Sequence, residues 1–279
     1  MNLDEFIRAA IEEDIGNGDH TSLACIAEDA TGQAEVIIKQ KGVIAGLEIA
    51  KKIFGEIDEK IECKAHFSDG QKVGFGDVVM TISGPARSIL KGERMVLNCM
   101  QRMSAIASKT NEMAMKIEDL KAKILDTRKT TPNFRYFEKL AVRIGGGENH
   151  RFGLYDMIMI KDNHIDFSGG IENAITGTLN YLQSKNMQLK TCIEARTIED
   201  VNEILRIGKF DRIMLDNFSL AELKQAVVLI KDSMETEATG GINTNNVREI
   251  AETGVDYISV GAIIHSAGNM DISLNAKIS

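Results

Sequence analysis

From residue 123 onward the chain repeats one unit, a short apolar run followed by a stretch with helical spacing. The runs fall near 123–126, 157–160, 191–194, 212–216, 235–239 and 257–260. Between the later runs lie helical patterns at Ile198 to Ile207, Leu220 to Ile230 and Val247 to Ala251. Strand alternating with helix argues for βαβ units and a parallel sheet. Six such units are one or two short of an eightfold closure, so the spacing predicts an incomplete, open α/β barrel.

The chain before this repeat has a different rhythm. Leu3, Phe6, Ile7, Ala10 and Ile11 form a helical stripe that ends in a glycine-containing turn at 14–19. Strands are predicted over 34–39, 63–67 and 77–83, with a turn and helix over 42–57. This reads as an α+β layer. Ala86 to about Asp119 is a long helical stretch, expected as two helices broken near Ser104 to Ser108. A helix is also predicted from about Phe134 to Ile144, with Thr131 as N-cap and Pro132 in its first turn.

Barrel strands deliver their C-terminal ends to one mouth, so the residues there carry the most information. In order they are Asp126-Thr127-Arg128-Lys129, Lys161-Asp162, Glu194-Ala195-Arg196, Asp216-Asn217, Thr239-Gly240-Gly241 and Gly261-Ala262. The window 126–164 also gathers Arg135, Lys139, Arg143, His150, Arg151 and His164, in a chain whose net charge is -8. Such a cluster suits a small anion, since the acidic whole would repel nucleic acid or an anionic membrane. Lys139 and Arg143, four apart, fit a solvated helix face. Glu194 and Asp216 each end an apolar run and need a cation; Mg2+ is the natural one, and pairing with Lys161 or Arg128 is the alternative. Gly240-Gly241 and Gly261-Ala262 suit a phosphate, with dipoles from the helices that follow, or serve as plain loop residues. Gly145-Gly146-Gly147 exceeds what a helix stop requires and suggests close backbone approach, with His150 and Arg151 beside it as ligand contacts.

Other classes are disfavoured. No apolar run reaches membrane-spanning length. The N-terminal segment is acidic and amphipathic, unlike a signal peptide, which points to the cytoplasm. Cys25, Cys63, Cys99 and Cys192 lack metal spacing and are expected to be reduced core thiols.

At these positions the chain resembles the quinolinate phosphoribosyltransferase family. The matching segments are Glu13-Asp14 with Gly18-Asp19-His20-Thr21, Glu93-Arg94 with Leu97-Asn98, Asp126 to Pro132, Gly145 to Arg151, Lys161-Asp162-Asn163-His164, Leu215-Asp216-Asn217 and Val260-Gly261-Ala262. The resemblance implies an N-terminal α/β sandwich over 1–118, joined by a returning tail at 266–279, and an incomplete barrel over 119–265 that carries the site. It implies a homodimer or a hexamer of dimers that joins quinolinate to 5-phosphoribosyl 1-diphosphate with Mg2+. Nicotinate mononucleotide, diphosphate and CO2 would be the products. Arg128, His150, Arg151 and Lys161 would bind the quinolinate carboxylates, with Arg94 entering from the neighbouring subunit. Lys129 would touch both substrates, and Lys161 also the donor. Glu194 and Asp216 would hold the ribose hydroxyls and the metal. Thr239, Gly240, Gly241 and Gly261 would cradle the 5-phosphate. Catalysis itself would rest on Lys129, Glu194 and Asp216.

Asn133, Ile165 to Ser168 and Ala195-Arg196 depart from the usual pattern, and none of them removes a residue with an assigned role. Two other readings compete. One is the related molybdate-operon enzyme of similar fold, whose versions of the Gly-Gly-Gly-Glu-Asn-His-Arg and Lys-Asp-Asn-His segments differ. The other is a non-catalytic dicarboxylate sensor, which could dispense with Lys129, Glu194 and Asp216.

Overall fold

The structure is a computed structural model that describes residues 3–277. Met1, Asn2, Ile278 and Ser279, included in the expected domain bounds, lie outside the described residues. The chain forms two compact units. Residues up to Asn111, Thr130 to Gly146 and those from Ile263 on make the first, and 112–129 with 147–262 make the second.

The first unit is built on a four-stranded antiparallel sheet. Its strands are β1 (Thr31–Ile38), β3 (Glu62–Ala65), β5 (Val78–Pro85) and β12 (Ile272–Lys277), and a small pair joins β2 (Gly42–Val43) to β4 (Lys72–Val73). The sheet order is β12-β1-β5-β3, and β12 pairs with β1 from Gln33↔Lys277 to Ile38↔Ile272. Val36 and Ile38 point inward at alternate positions, the mark of a sheet covered on one face. Helices α1 (Leu3–Ile15), α2 (His20–Cys25) and α3 (Leu47–Ile57) belong to this unit, as does α5 (Arg135–Ile144).

Helix α4 (Ala86–Met115) runs unbroken for 30 residues, so the expected interruption near Ser104 to Ser108 does not exist. Those serines have another task. Ser104 Oγ accepts from Ala45 N at 3.0 Å, and Ser108 Oγ accepts from Val43 N at 2.8 Å, which satisfies backbone donors of the β2 segment. The start of α5 also differs from expectation. Thr131 N and Oγ1 donate to Glu138 at 2.8 and 3.0 Å, and the helix begins only at Arg135. Asn133, in the intervening turn, has φ +63°, a left-handed conformation that asparagine tolerates better than most residues; its departure from glycine is thereby accommodated. Lys139 is 3% exposed, so it is not on a solvated face as the four-residue spacing suggested. Gly145 packs against α4 so closely that a Cβ there would lie 2.8 Å from Thr110 Cβ and overlap Ala107 O. The close approach made by the triple glycine is therefore partly to a neighbouring helix.

The second unit is a parallel sheet of six strands. These are β6 (Lys123–Leu125), β7 (Met157–Ile160), β8 (Lys190–Ala195), β9 (Arg212–Asp216), β10 (Glu235–Thr239) and β11 (Tyr257–Ser259), in the order β6-β11-β10-β9-β8-β7. They coincide with the six apolar runs. No strand pairing joins β6 to β7 among the described residues, so the barrel is open, as predicted. Crossovers include α6 (Asp162–Ser168), α7 (Ile171–Lys185), α8 (Ile198–Ile207), α9 (Leu220–Ile230) and α10 (Val247–Ala251). Thr197 and Ser219 start α8 and α9 with capping boxes closed by Asp200 and Glu222. Cys99 and Cys192 are buried and Cys63 is half-buried, but Cys25 is exposed and is not the core thiol expected. Among the described residues, no helix is long and apolar enough to cross a membrane.

Candidate active site

The strand ends of the second unit surround a cavity of about 330 Å3. Arg128, Lys129, His150, Arg151, Lys161 and Thr239 all line it, and so do Thr127, Met159, Met214, Glu237 and Ser259. Positions separated by more than a hundred residues thus converge, most of them in or just beyond the barrel strands, with His150 and Arg151 coming from the segment before β7.

Cations crowd this cavity. The Arg151 guanidinium is pushed below the usual arginine range, first by burial and then by the charge of Arg128. Its Nη1 donates to Met157 O at 3.1 Å, which anchors it toward β7. Like charges held together in a partly dry site favour an incoming anion. Lys161 Nζ stands 3.8 Å from Glu194 Oε2, so one of the pairings considered from sequence is present. Burial pushes the Glu194 carboxyl up, Lys161 opposes that rise, and the charge of Asp216 adds to it. Glu194 and Asp216 end adjacent parallel strands, and Asp216 pairs in register with Thr239 of β10.

Two carboxylates on neighbouring strands are a donor set that suits Mg2+, which takes one or two protein carboxylates and completes its shell with water and phosphate oxygens. No cluster of three or more His, Cys, Asp or Glu suited to a metal occurs among the described residues. A metal here would therefore lean on the donor substrate for the rest of its shell.

The glycines have mixed roles. Gly240 (φ +94°) and Gly241 (φ +61°) are both left-handed. A Cβ on Gly240 would collide with Asn217, so packing already requires glycine there, whereas Gly241 faces open space. The helices that follow, α10 and α11 (Ala262–His265), have only 5 and 4 residues. Their dipoles are smaller than the sequence reading assumed, which leaves backbone N–H groups as the main donors.

His150 differs from a simple ligand. It is buried, its Nδ1 accepts from Arg151 N at 2.7 Å, and its Nε2 lies 3.1 Å from Glu237 Oε2. Both ring nitrogens are thus engaged within the protein. Arg196, whose direction the sequence did not reveal, pairs with Asp166 at 3.0 Å, so two of the departures from the family pattern explain each other.

Arg94 belongs to the first unit. It lines a cavity of about 430 Å3 with Phe6, Glu13, Asp14, Asn98, Arg102 and Thr131. The Glu13-Asp14 and Leu97-Asn98 segments singled out with it in the sequence therefore share its surroundings.

Sequence reasoning assigned no role to Asp126, Glu237, Ser259, Met159 or Met214. Asp126 is fully buried; it accepts from His150 N at 2.9 Å and from Asn149 Nδ2 at 2.5 Å. A partial signal existed for Glu237. Glu235 and Glu237, two residues apart, share one face of a predicted strand, though the sequence does not say whether that face is the interior.

Comparison with known proteins agrees with this fold. The family profile for the C-terminal domain of quinolinate phosphoribosyl transferase matches residues 106–275, and that for the N-terminal domain matches 19–104. The chain belongs to the quinolinate phosphoribosyltransferase family. It is 43% identical to a mitochondrial quinolinate phosphoribosyltransferase [decarboxylating] of Nicotiana tabacum, over 98% of this chain and 82% of that protein. It is 40% identical to a probable nicotinate-nucleotide pyrophosphorylase [carboxylating] of Bacillus subtilis, over 100% of this chain and 95% of that one. The solved nicotinate-nucleotide pyrophosphorylase of Francisella tularensis superposes with TM-score 0.91 at 37% identity, covering 99% of this chain and 98% of that one.

Proposed function

We propose that this chain is a pentosyltransferase that joins quinolinate to 5-phosphoribosyl 1-diphosphate, releasing nicotinate mononucleotide, diphosphate and CO2 in NAD biosynthesis. The observation that carries the reading is the cavity in which Arg128, Lys129, Arg151 and Lys161 converge. A monoanion would leave part of that charge unmatched, whereas a dicarboxylate answers it with charge-assisted hydrogen bonds, bidentate where arginine is the donor. Met159 and Met214 in the same wall offer polarizable surface to an aromatic ring.

In this reading Arg128, Arg151 and Lys161 hold the two carboxylates, and His150 shapes the wall from which Arg151 extends. Lys129 sits between the acid and the donor. Glu194 and Asp216 take the ribose hydroxyls, and Thr239, Gly240, Gly241 and Gly261 the 5-phosphate. The ring nitrogen attacks the anomeric carbon as diphosphate leaves; the protein's contribution is to hold both reactants in line and to stabilise the departing charge. Mg2+, held by Glu194, Asp216 and the donor's oxygens, would supply charge neutralisation for the diphosphate. The active assembly is a homodimer or a hexamer of dimers, in which Arg94 completes the neighbouring subunit's acid pocket. The reaction is placed in the cytoplasm. A non-catalytic sensor is disfavoured because Lys129, Glu194 and Asp216 are all retained.

The test is incubation with quinolinate, the phosphoribosyl donor and Mg2+, with mass detection of nicotinate mononucleotide. No product from folded protein overturns the proposal.

A further inference from the structure

Beneath the cations of the cavity lies a second charged layer, centred on Glu237 of β10. Glu237 is 0% exposed. Its Oε1 accepts from Ser259 Oγ at 2.5 Å, and its Oε2 accepts from Arg212 Nη1 at 2.9 Å and from His150 Nε2 at 3.1 Å. Burial opposes ionisation most strongly, but His150, Ser259 and Arg212 outweigh it and hold the carboxyl below its ordinary range. Arg212 also binds Glu235, at 2.8 Å, so one guanidinium is shared between two carboxylates.

The consequence lies in His150. Its Nδ1 accepts the backbone N–H of Arg151, so the ring proton is on Nε2 and is donated to Glu237. Asp126 grips the same turn from its other side through His150 N and Asn149 Nδ2. Two buried carboxylates thus clamp residues 149–151, one on the main chain and one on the ring. We propose that Glu237 is a positioning residue for the acid pocket: by fixing the Nε2–H tautomer of His150, it fixes the turn from which Arg151 reaches the substrate. The choice of substrate rests on the function proposed above; the tautomer does not.

The experiment uses the full chain. Glu237→Leu removes the acceptor, Glu237→Gln keeps an oxygen for His150 and Arg212 while donating to Ser259, and Glu235→Gln removes a charge from Arg212 without touching His150. Glu237→Leu is expected to raise the quinolinate KM by about 10- to 100-fold with the donor KM nearly unchanged. Glu237→Gln and Glu235→Gln should stay within about threefold of wild type, because the acceptor on His150 is retained. A folded Glu237→Leu protein with unchanged quinolinate KM overturns the proposal, and so does a Glu237→Gln protein as impaired as Glu237→Leu. If Glu237→Leu does not fold, the 15N spectrum of histidine-labelled wild type decides, with His150 assigned by its loss in His150→Gln. A proton on Nε2 alone supports the proposal, and a proton on Nδ1 overturns it. Wild type that shows this tautomer yet makes no nicotinate mononucleotide refutes the substrate assignment and leaves the tautomer standing.

Discussion

Lys161 and Glu194 form an unequal pair, 3.8 Å apart, with an ammonium that is half exposed and a carboxylate almost fully enclosed. The lysine offsets only part of the cost of enclosing the acid, since burial and Asp216 together hold the Glu194 pKa above its ordinary value. The folded state therefore binds this proton more tightly than the unfolded chain does. Stability is lost as pH rises from the unfolded carboxyl value through the raised folded one, and the loss is complete above that window. Glu194→Gln is expected to melt above wild type at pH 7.5, with the gain vanishing below about pH 4. Its turnover should fall about 100-fold or more. A lower melting temperature at pH 7.5 would mean that the pair is net stabilising, contrary to this account.

Substrate choice follows from the charge count of the cavity. Nicotinate lacks the carboxylate beside the ring nitrogen and would leave enclosed cations without partners, so quinolinate should be preferred by about 10,000-fold in kcat/KM. Competition kinetics with both acids measure this ratio. Similar turnover of the two acids would refute the dicarboxylate reading.

Chelation should separate the two halves of the site. If Glu194 and Asp216 serve the donor and Arg128 and Arg151 the acid, as proposed, excess chelator should abolish turnover and leave quinolinate affinity within about twofold. Calorimetric titration in chelator provides the comparison. Loss of the binding heat would show that the metal organises the acid pocket.

Arg94 and the barrel cations occupy different units and line different cavities. If Arg94 acts in the neighbouring subunit, Arg94→Ala and Lys161→Ala should each be nearly inactive alone. Co-refolded in equal amounts, they should regain about a quarter of wild-type activity, because half the dimers then contain one intact site. Inactivity despite heterodimers verified by mass spectrometry would exclude a role in trans.

In the first unit, Arg102 donates to Glu138 Oε1 at 2.9 and 2.7 Å, and Glu138 is fully enclosed. Arg102→Met leaves that carboxylate without its cation and should cost about 3 kcal/mol or more, a fall of roughly 10 °C in Tm. Differential scanning calorimetry is the measure, and a change under about 2 °C would show that the pair is dispensable.

Much of the barrel was legible because most of its strands carry an apolar run, β10 being the exception, and its crossovers are amphipathic, so the period of the sequence switches at each boundary. The cations at the mouth were legible for a related reason, since a charge directly after a buried strand has few places to go. The failures have local causes. Ser104 and Ser108 look like helix breakers in one dimension, yet they serve a neighbouring strand's backbone. Thr131-Pro132 looks like a helix start, yet Thr131 is claimed by Glu138. Glu237 was overlooked because a glutamate reads the same whether it faces water or a barrel interior. The difference is made by Arg212, His150 and Ser259, which arrive from other strands and loops.

The pairing of β12 with β1 joins almost the last described residues to some of the earliest, Lys277 to Gln33. During synthesis the first unit's sheet must wait for the whole barrel to be translated before its edge is covered. Until then β1 presents an open row of hydrogen-bonding groups, the kind of edge that recruits foreign strands. Loss of only the final few residues should therefore act less on the chemistry of the mature enzyme than on its yield, as aggregation of newly made chains.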